Sequence, residues 1–322
     1  MKISRGIVPA GPRSYPVVTI GNFDGHHRGH RALLQLVVET ARRHAGTAVA
    51  VTFDPHPVKI LAPQVNLQFL TTSEEKLRRF QEAGVDEVMF LDFTPEFAAL
   101  SPEEFVRRIL YDALATKELF VGEHFAFGKG RAGRIADLIA LGKRYDFAVH
   151  PMSPLRIDNE VVSSTKIRHL IQAGDVQKAR RFLGRSYTVE GTVLHGAKRG
   201  ADLGWPTANL RLPPDRVTPP DGVYSAQVLW RDHAYDAVCY IGTRPTFGSG
   251  ERLLEATVLD QRLELYDEPI AVQLIGRIRG DMTFPSAEEL SRRIARDVEE
   301  ARAQLKQAPT ERHETMATLP RM

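Results

Sequence analysis

The chain has 322 residues, of which 43% are hydrophobic and 26% are charged, and its formal net charge is +3. This composition is typical of a globular protein and excludes a disordered, collagen-like or membrane-embedded chain. At about 150 residues per domain, the length predicts two domains. The sequence contains no apolar segment typical of a secretory leader or a membrane span, so we expect a cytoplasmic protein.

The charge and the cysteine content narrow the classes of partner. A small positive net charge favours anionic ligands in general, and no aromatic or dense basic motif indicates nucleic acid. We therefore expect small-molecule substrates, without nucleic-acid or membrane partners, and the sequence does not identify a protein partner. The single cysteine, Cys239, lies in the apolar run AVCYIG, which favours a buried thiol over a nucleophile.

The first half of the chain alternates apolar strands with amphipathic helices. Thr72 and Ser101 are capping signals that predict helix starts, and Gly46 and Gly84 are predicted to end helices. The alternation predicts repeated βαβ units and a mainly parallel sheet, whose ligands bind at the carboxyl ends of strands. Strands are predicted at 16–20, 47–53, 86–93, 117–122 and 147–152, and helices at 31–46, 72–84 and 134–145.

The pattern changes after residue 184 to short strands separated by Gly and Pro turns. These strands predict an antiparallel sheet or a small barrel, and Ser286 with Glu289 predicts the capped start of one long closing helix. The predicted strands are 187–194, 222–230, 234–242, 253–259 and 270–278, followed by the helix 286–307. The predicted domains are 1–184 and 185–307, with a disordered tail over 308–322.

The first group of candidate site residues lies in GNFDGHHRGHR, residues 21–31. A strand ends there, and the glycines Gly21 and Gly25 allow the backbone to approach a ligand closely. His27 and His30 then share one face at a helix start, where N–H groups and imidazoles attract phosphate. This arrangement suits nucleotidyl transfer. Two alternatives stay open: histidines that only cap the helix, and a zinc-binding pair.

Two further segments could contribute to the same pocket. His56 lies in TFDPHP, which ends the next strand, although this segment would also suit a rigid loop. In VSSTKIR, the hydroxyl residues 163–165 begin a helix that carries Lys166 and Arg168. Hydroxyls and cations at a helix start predict a second anion site. Taken alone, that segment is also typical of an ordinary capped basic helix.

These segments together resemble a known family. GNFDGHHRGH, TFDPHP, VGEHFAFGKGRAG and VSSTKIRHLIQAGDVQKARRFLGRSY are similar, in this order, to the FMN adenylyltransferase half of bacterial bifunctional riboflavin kinase/FAD synthetases. The resemblance implies an α/β Rossmann-like nucleotidyltransferase domain in which His27 and His30 are catalytic. It implies ATP binding by Gly21, Asp24, Gly25, His27, His30, Ser164, Thr165 and Arg168. It implies flavin binding by Phe53, His56, His124, Phe125 and Phe127.

One departure from that family bears on activity. His124 stands where the family usually has Asp or Asn. A changed side chain at a flavin or phosphate contact would weaken or alter FAD synthesis.

The second group lies in GTVLHGAKRGADLGWPTANL, where a predicted strand enters a glycine-rich loop. The hydroxyl of Thr207 and the amide of Asn209 are hard oxygen ligands, suited to Mg²⁺ on ATP phosphates. Transfer to an alcohol also needs a base, and Glu255 lies among apolar residues on a predicted strand. Alternatively, Glu255 faces solvent. The loop residues expected at the ATP phosphates are Gly196, Lys198 and Gly200.

The second half is similar to the riboflavin kinase domain of the same family. GWPTANL, DGVYS, IGTRPTFGSG and LLEATVLD occur in the family's order. The resemblance implies a six-stranded antiparallel barrel with a carboxyl-terminal helix, and Glu255 as the base for the riboflavin 5′-hydroxyl. Asp202 and Trp205 depart from the family's usual residues, and Asp267 stands where Gly is usual.

The two resemblances cover roughly residues 14–307. They predict one chain that phosphorylates riboflavin to FMN with Mg²⁺ and ATP, and adenylylates FMN to FAD with release of pyrophosphate. An enzyme that keeps only one activity, with His124 or Asp202 marking the lost half, is one alternative. A flavin-binding or RNA-binding regulator without catalysis is another.

Overall fold

The computed structural model describes residues 1–7, 13–195, 207–243 and 252–308. The chain divides into two compact units, of which the first spans Met1–Ser164 and the second begins at Thr165. The predicted domain ranges of 1–184, 185–307 and 308–322 stay predictions. Among the described residues, no helix is both long enough and apolar enough to cross a membrane.

The first unit is built on a six-stranded sheet. In the described chain every neighbouring pair of its strands is parallel, which confirms the α/β prediction. The chain moves from β2 outward through β3 and β4, then returns to β5 on the other side of β2. The β2–β5 junction is therefore a topological switch point, where ligands bind beyond the carboxyl ends. The strands in spatial order are β1 (Lys2–Arg5), β4 (Glu87–Asp92), β3 (Thr47–Asp54), β2 (Pro16–Ile20), β5 (Glu118–Gly122) and β6 (Ala148–Met152).

Helices connect these strands and are capped mostly as the sequence predicts. Thr72 and Ser101 each form a complete capping box with a glutamate three residues later. A π-helical segment, Val106–Ala113, and a hairpin of β7 (Arg156–Ile157) and β8 (Glu160–Val161) had no sequence signal. The helices are α1 (Arg28–Arg43), α2 (Pro57–Leu61), α3 (Ser73–Glu82), α4 (Pro95–Ala98), α5 (Pro102–Phe105), α6 (Ile135–Arg144), α7 (Ser164–Gln172) and α8 (Val176–Leu183).

The prediction that Gly46 caps α1 is wrong in its mechanism. The helix ends at Arg43, and the left-handed conformation falls on Ala45, with φ 46°. A Cβ at Gly46 would lie 2.4 Å from the carbonyl oxygen of Tyr15, so glycine is needed there for close approach of two backbones. Gly84, after α3, has the φ of 79° that is typical of a helix end.

The parallel sheet is buried on both faces. Val17, Ala48 and Phe120 pack on one face against α1. On the other face Val18 and Val49 pack against the helical segments around 102–113 and α6. Because both faces are covered, the strands read as continuous apolar runs rather than as alternating patterns.

The second unit contains a six-stranded antiparallel sheet. An additional bridge between Leu194 and Asn209 joins its two edges, so the sheet nearly closes into a barrel, as predicted. A long helix, α9 (Ala287–Gln307), packs Ala301 and Leu305 against Ile275. The strands in spatial order are β10 (Ala208–Arg211), β13 (Arg252–Val258), β12 (His233–Thr243), β11 (Gly222–Trp230), β14 (Pro269–Gly280) and β9 (Tyr187–Thr192).

A buried ion pair joins the chain before β2 to strand β4. Arg13 donates two hydrogen bonds of 2.7 Å to the carboxylate of Glu87 and a third, of 3.0 Å, to the carbonyl oxygen of Ala113. The two charged side chains are only 6% and 4% exposed. The hydrogen bonds from Arg13 hold the pKa of Glu87 below its ordinary value.

We expect Arg13→Met to lower the free energy of unfolding of the first unit by about 3 kcal/mol, because it leaves the Glu87 charge buried and unpaired. The wild-type contribution is present above the unfolded carboxyl pKa of about 4.3 and is lost as the pH falls through the lower, folded value. Urea titrations followed by far-UV circular dichroism measure both effects.

Two controls accompany this experiment. Both tryptophans, Trp205 and Trp230, follow Thr165 in the chain, so their fluorescence reports on the second unit and should not change. Lys117→Met breaks an exposed pair with Asp146 and should cost less than about 1 kcal/mol. Equal losses in the Arg13 and Lys117 variants would contradict the role given to the buried pair.

Candidate active sites

The turn between β2 and α1 is held by the carboxylate of Asp24, which is 2% exposed. This carboxylate accepts hydrogen bonds from the N–H of Leu70 at 3.0 Å, and from the N–H and the hydroxyl of Thr71 at 3.1 Å each. The hydroxyl of Thr71 accepts a bond from the N–H of Gly25 at 3.0 Å. Since Thr72 caps α3, these bonds fix the turn to the start of that helix.

Gly25 itself needs to be a glycine. Its φ is 82°, and a Cβ there would lie 2.7 Å from Leu70 Cδ1. Phe23 and His26 in the same turn also have positive φ, at 50° and 38°. Strained backbone of this kind persists only where surrounding contacts hold it, and it is frequent at ligand sites.

His27 and His30 lie together at the start of α1. His27 caps the helix, because its Nδ1 accepts a hydrogen bond from the N–H of His30 at 3.2 Å. The proton of a neutral His27 therefore lies on Nε2. The two rings stack with their centroids 3.6 Å apart and 16° between planes. His27 thus caps the helix, and at the same time its ring and that of His30 lie together where a phosphate could bind.

His30 is held in its neutral form. Its Nδ1 is inaccessible and has no hydrogen-bond partner in the part of the chain that the structure describes. Burial, followed by the positive charges possible at His27, His26 and Lys76, lowers the pKa of His30 well below the ordinary value. A neutral imidazole at pH 7 acts as a hydrogen-bond donor at one nitrogen and an acceptor at the other.

The helix α3 brings a cation toward this site that no sequence signal indicated. Lys76 lies one turn before Phe80, whose ring centroid is 4.5 Å from that of His26 and 5.1 Å from that of Phe23. Burial lowers the pKa of Lys76, while the charges of Asp24 and Asp54 raise it. In the sequence, Lys76 cannot be told from an ordinary solvent-facing lysine of a capped helix.

Ser164 also reaches the turn. Its hydroxyl donates a hydrogen bond of 2.8 Å to the carbonyl oxygen of Asp24. Gly21 extends β2 by donating its N–H to the carbonyl oxygen of Val51. Thr165 and Arg168 follow Ser164 on α7, and these two residues belong to the second unit.

The aromatic residues expected at a flavin lie at the end of β3, for Phe53, and after β5, for Phe125 and Phe127. Phe53 packs edge-on against Phe93, with centroids 5.5 Å apart. Phe125 and Phe127 stack at 5.8 Å with 13° between their planes, and both belong to the same apolar cluster as Phe53. Phe53 and Phe125 are half-buried, whereas Phe127 is buried.

The two histidines near these aromatics differ in their placement. His56 caps α2 by accepting a hydrogen bond of 3.2 Å from the N–H of Val58, and its ring lies 5.3 Å from that of Phe69. That geometry also fits the rigid-loop alternative for this segment. The side chain of His124 is 86% exposed, with Nε2 3.5 Å from a carboxylate oxygen of Glu123.

The second candidate site is a row of side chains across three barrel strands. Asn209 on β10 pairs with Glu255 on β13, which in turn pairs with Tyr240 on β12. Directly opposed residues of antiparallel strands project to the same face, so these side chains are neighbours. Glu255 is 7% and Asn209 6% exposed, which argues against the alternative that Glu255 faces solvent. The buried neighbours Leu254 and Ala256 project to the opposite face.

The residues before β10 are described in part. Thr207 is half-buried, and its carbonyl oxygen lies 3.5 Å from Nδ2 of Asn209. The other predicted residues of this loop lie outside the described residues; these are Gly196, Lys198, Gly200, Asp202 and Trp205.

Asp267 occupies a position whose backbone conformation favours glycine. Its φ is 61°, in the left-handed region that favours glycine. Its carboxylate lies 2.9 Å from Nε2 of His195, and the His195 ring stacks on Tyr266 with centroids 4.7 Å apart. The side chain of Asp267 thus has a hydrogen-bond partner just before the glycine-rich loop.

Comparisons with known proteins match both halves of the chain. A family model described as FAD synthetase matches residues 12–166, and one described as riboflavin kinase matches residues 183–305. A bifunctional riboflavin kinase/FMN adenylyltransferase of Escherichia coli (strain K12) is 38% identical, over 92% of this chain and 96% of that protein. One of Pseudomonas fluorescens is also 38% identical, over 89% and 92%.

A solved structure is similar as well. It is described as a macrolide-efflux protein from Streptococcus pneumoniae and has a TM-score of 0.85 to this chain at 31% identity. The match covers 94% of this chain and 99% of that chain.

We expect an NMR titration of the His30 ring to show a midpoint well below the ordinary histidine value of 6.5. The unfolded chain binds this proton more tightly than the folded chain, so protonation of His30 lowers stability as the pH falls through the unfolded value. His30→Gln identifies the resonance and removes this part of the pH dependence. A midpoint at or above 6.5 would contradict the assignment of a neutral ring.

Proposed function

The chain belongs to the bifunctional riboflavin kinase/FMN adenylyltransferase family, and from this membership we propose which residues carry each of the two reactions. The chain phosphorylates riboflavin to FMN with ATP, and it transfers the adenylyl group of ATP to FMN, which gives FAD and pyrophosphate. The main support for the assignment is that each matched half contains its own site. The stacked pair His27 and His30 lies in the first, and the buried Glu255 lies in the second.

Adenylyl transfer requires positioning more than deprotonation. An oxygen of the FMN phosphate attacks the α-phosphorus of ATP, the bond to the β-phosphate breaks, and pyrophosphate leaves. A phosphate monoester is already anionic at pH 7, because its second pKa is about 6. Catalysis therefore depends on holding the two anions in line and on stabilising the charge that develops on the phosphoryl oxygens.

We assign that stabilisation to the start of α1. The N–H groups of its first turn, the Nε2 proton of His27 and the neutral ring of His30 are the donors for the phosphates. Gly21 and Gly25 allow the nucleotide to approach the backbone, and Asp24 holds the turn in shape. The remaining ATP contacts that we propose are Ser164, Thr165 and Arg168.

The flavin of FMN is proposed to lie beside the aromatic cluster at the end of β3 and after β5. The half-buried rings of Phe53 and Phe125 offer apolar faces to an isoalloxazine ring, and Phe127 supports Phe125 by stacking. His56 is proposed at the edge of this pocket. His124, whose ring lies largely in solvent beside Glu123, stays a proposed flavin contact at the outer side of this pocket.

Phosphorylation of riboflavin needs a base, because its nucleophile is an alcohol. We assign this role to Glu255, which takes the proton of the 5′-hydroxyl while the oxygen attacks the γ-phosphorus of ATP and the bond to ADP breaks. Burial beside Asn209 keeps the carboxylate in a site from which bulk water is largely excluded. The glycine-rich loop with Gly196, Lys198 and Gly200 is proposed to hold the phosphates.

A magnesium ion is proposed to accompany ATP in this second site. The hydroxyl of Thr207 and the amide oxygen of Asn209 are hard donors, and Mg²⁺ in phosphoryl-transfer sites uses few protein ligands together with substrate phosphates. When bound, the ion neutralises part of the phosphate charge. These two donors fit that pattern of coordination.

We propose the cytoplasm as the site of action. Both reactions consume ATP, and the partners are the small molecules riboflavin, FMN and ATP. Cys239 is completely buried, and burial raises the pKa of its thiol, which keeps it protonated and unreactive. A single buried thiol suits a reducing compartment.

The double variant His27→Ala, His30→Ala tests the first assignment. It should lower conversion of FMN to FAD by about 100-fold or more, since two donors to the developing charge are removed. Conversion of riboflavin to FMN should stay within about twofold. Chromatography of flavins after incubation with ATP, Mg²⁺ and either riboflavin or FMN measures both steps. Undiminished FAD formation would exclude the proposed role of the histidines.

Glu255→Gln tests the second assignment with almost no change in side-chain volume. It should lower FMN formation from riboflavin by about 100-fold or more, because the amide cannot accept the hydroxyl proton. FAD formation from supplied FMN should be unaffected. Glu264→Gln, at an exposed position of the same unit, is the matched control. A Glu255→Gln protein that still phosphorylates riboflavin at the wild-type rate would rule out Glu255 as the base.

A further inference from the structure

One cation of the first unit has no role in the assignments above. Lys76 is half-buried, and burial is the main influence on its pKa, which is lowered. Within the described ranges its ammonium group forms no ion pair, although the charges of Asp24 and Asp54 act on it from a distance. A partly desolvated cation without a close counterion is unfavourable unless an anionic ligand supplies the missing charge.

Both nearby carboxylates have other partners. Asp24 accepts the hydrogen bonds of Leu70 and Thr71 described above, and Asp54 forms an ion pair of 3.0 Å with Arg5. The protein therefore provides a local negative potential that keeps a lysine near the site, without a carboxylate that occupies its ammonium group. This arrangement is expected of a cation whose ammonium group binds an anionic ligand.

The packing of α3 directs Lys76 toward the start of α1. Lys76 and Phe80 are four residues apart, so they lie on the same face of α3. The ring of Phe80 contacts His26 and Phe23, and the ring of Phe23 lies 5.2 Å from that of His30. Lys76 is also close enough to His30 to contribute to the lowering of its pKa.

We propose that the ammonium group of Lys76 binds phosphate groups of the nucleotide at the start of α1, next to His30. This inference rests on the proposed adenylyl transfer at His27 and His30. The neutral rings of His27 and His30 and the helix N–H groups offer only partial positive charge, whereas pyrophosphate leaves with several negative charges. A full positive charge from Lys76 stabilises the leaving group as the bond to the α-phosphorus breaks.

The reverse reaction tests this role directly. In it an oxygen of pyrophosphate attacks the adenylyl phosphorus of FAD, the bond to the FMN phosphate breaks, and ATP and FMN form. Riboflavin phosphorylation does not involve pyrophosphate, so the KM for pyrophosphate reports on the adenylyl-transfer site alone. It is measured for the full chain with FAD and inorganic pyrophosphate.

Lys76→Met should raise the KM for pyrophosphate about tenfold to hundredfold, as expected for the loss of a charge-assisted contact. It should also slow FMN adenylylation, while riboflavin phosphorylation stays unchanged. Lys76→Arg, which keeps the charge, should recover most of the affinity. Lys117→Met removes an exposed lysine of the same unit and is the matched control. If Lys76→Met does not fold, as judged by far-UV circular dichroism, Lys76→Gln is compared with Lys76→Arg in the same assay.

A purely structural lysine would give a different result. The melting temperature of the variant would then fall while the KM for pyrophosphate stayed at the wild-type value, and this outcome overturns the proposal. Failure of the underlying assignment is recognised separately, because the variant His27→Ala, His30→Ala would then still make FAD. If the wild-type chain makes FAD and the KM for pyrophosphate is unchanged in Lys76→Met, only the proposed role of Lys76 is rejected.

Discussion

The first site depends on the buried carboxylate of Asp24. A charge that is 2% exposed is tolerated because backbone and hydroxyl donors surround it, and these donors belong to Leu70 and Thr71 just before α3. Its bonds hold a turn in which Phe23, Gly25 and His26 all have positive φ. These bonds therefore hold the starts of α1 and α3 together, and they fix the positions of the stacked histidines and of Lys76 on α3.

The two proposed sites suit different nucleophiles. An FMN phosphate is already an anion, and the carboxylate of Asp24 in the turn before α1 is engaged by backbone donors. The alcohol of riboflavin must lose a proton, and Glu255 lies in a buried row of side chains on the barrel. In the proposed assignments, the parallel sheet offers hydrogen-bond donors at its carboxyl edge and the barrel offers a carboxylate on a strand as the base, so each architecture suits the chemistry of its step.

Long periodic elements were predictable from the sequence, and short or tertiary features were not. The parallel strands β2 to β6, the barrel strands other than the short β10, and the capping boxes at Thr72 and Ser101 follow local patterns, and the structure contains them. The edge strand β1 and the hairpin β7–β8 are too short to show periodicity. Lys76 was missed because its surroundings arise from packing of α3 against the turn before α1, whereas its local sequence is that of an ordinary helix. After α1 the left-handed residue is Ala45, and Gly46 is needed for its close contact with the backbone of Tyr15, which the local sequence does not show.

The charged residues at the starts of α1 and α3 explain why only the start of α1 suits an anionic ligand. The first turn of α3 contains Glu74 and Glu75 and a complete capping box, so its N–H groups and its dipole are already compensated. The first turn of α1 contains no acidic residue, and its cap is the neutral acceptor nitrogen of His27. The positive potential at α1 is therefore left for a ligand. The glutamates of α3 compensate the dipole of that helix, so α3 does not bind the anion with its own N–H groups. It contributes Lys76 instead, and the N–H groups of α1 bind the ligand.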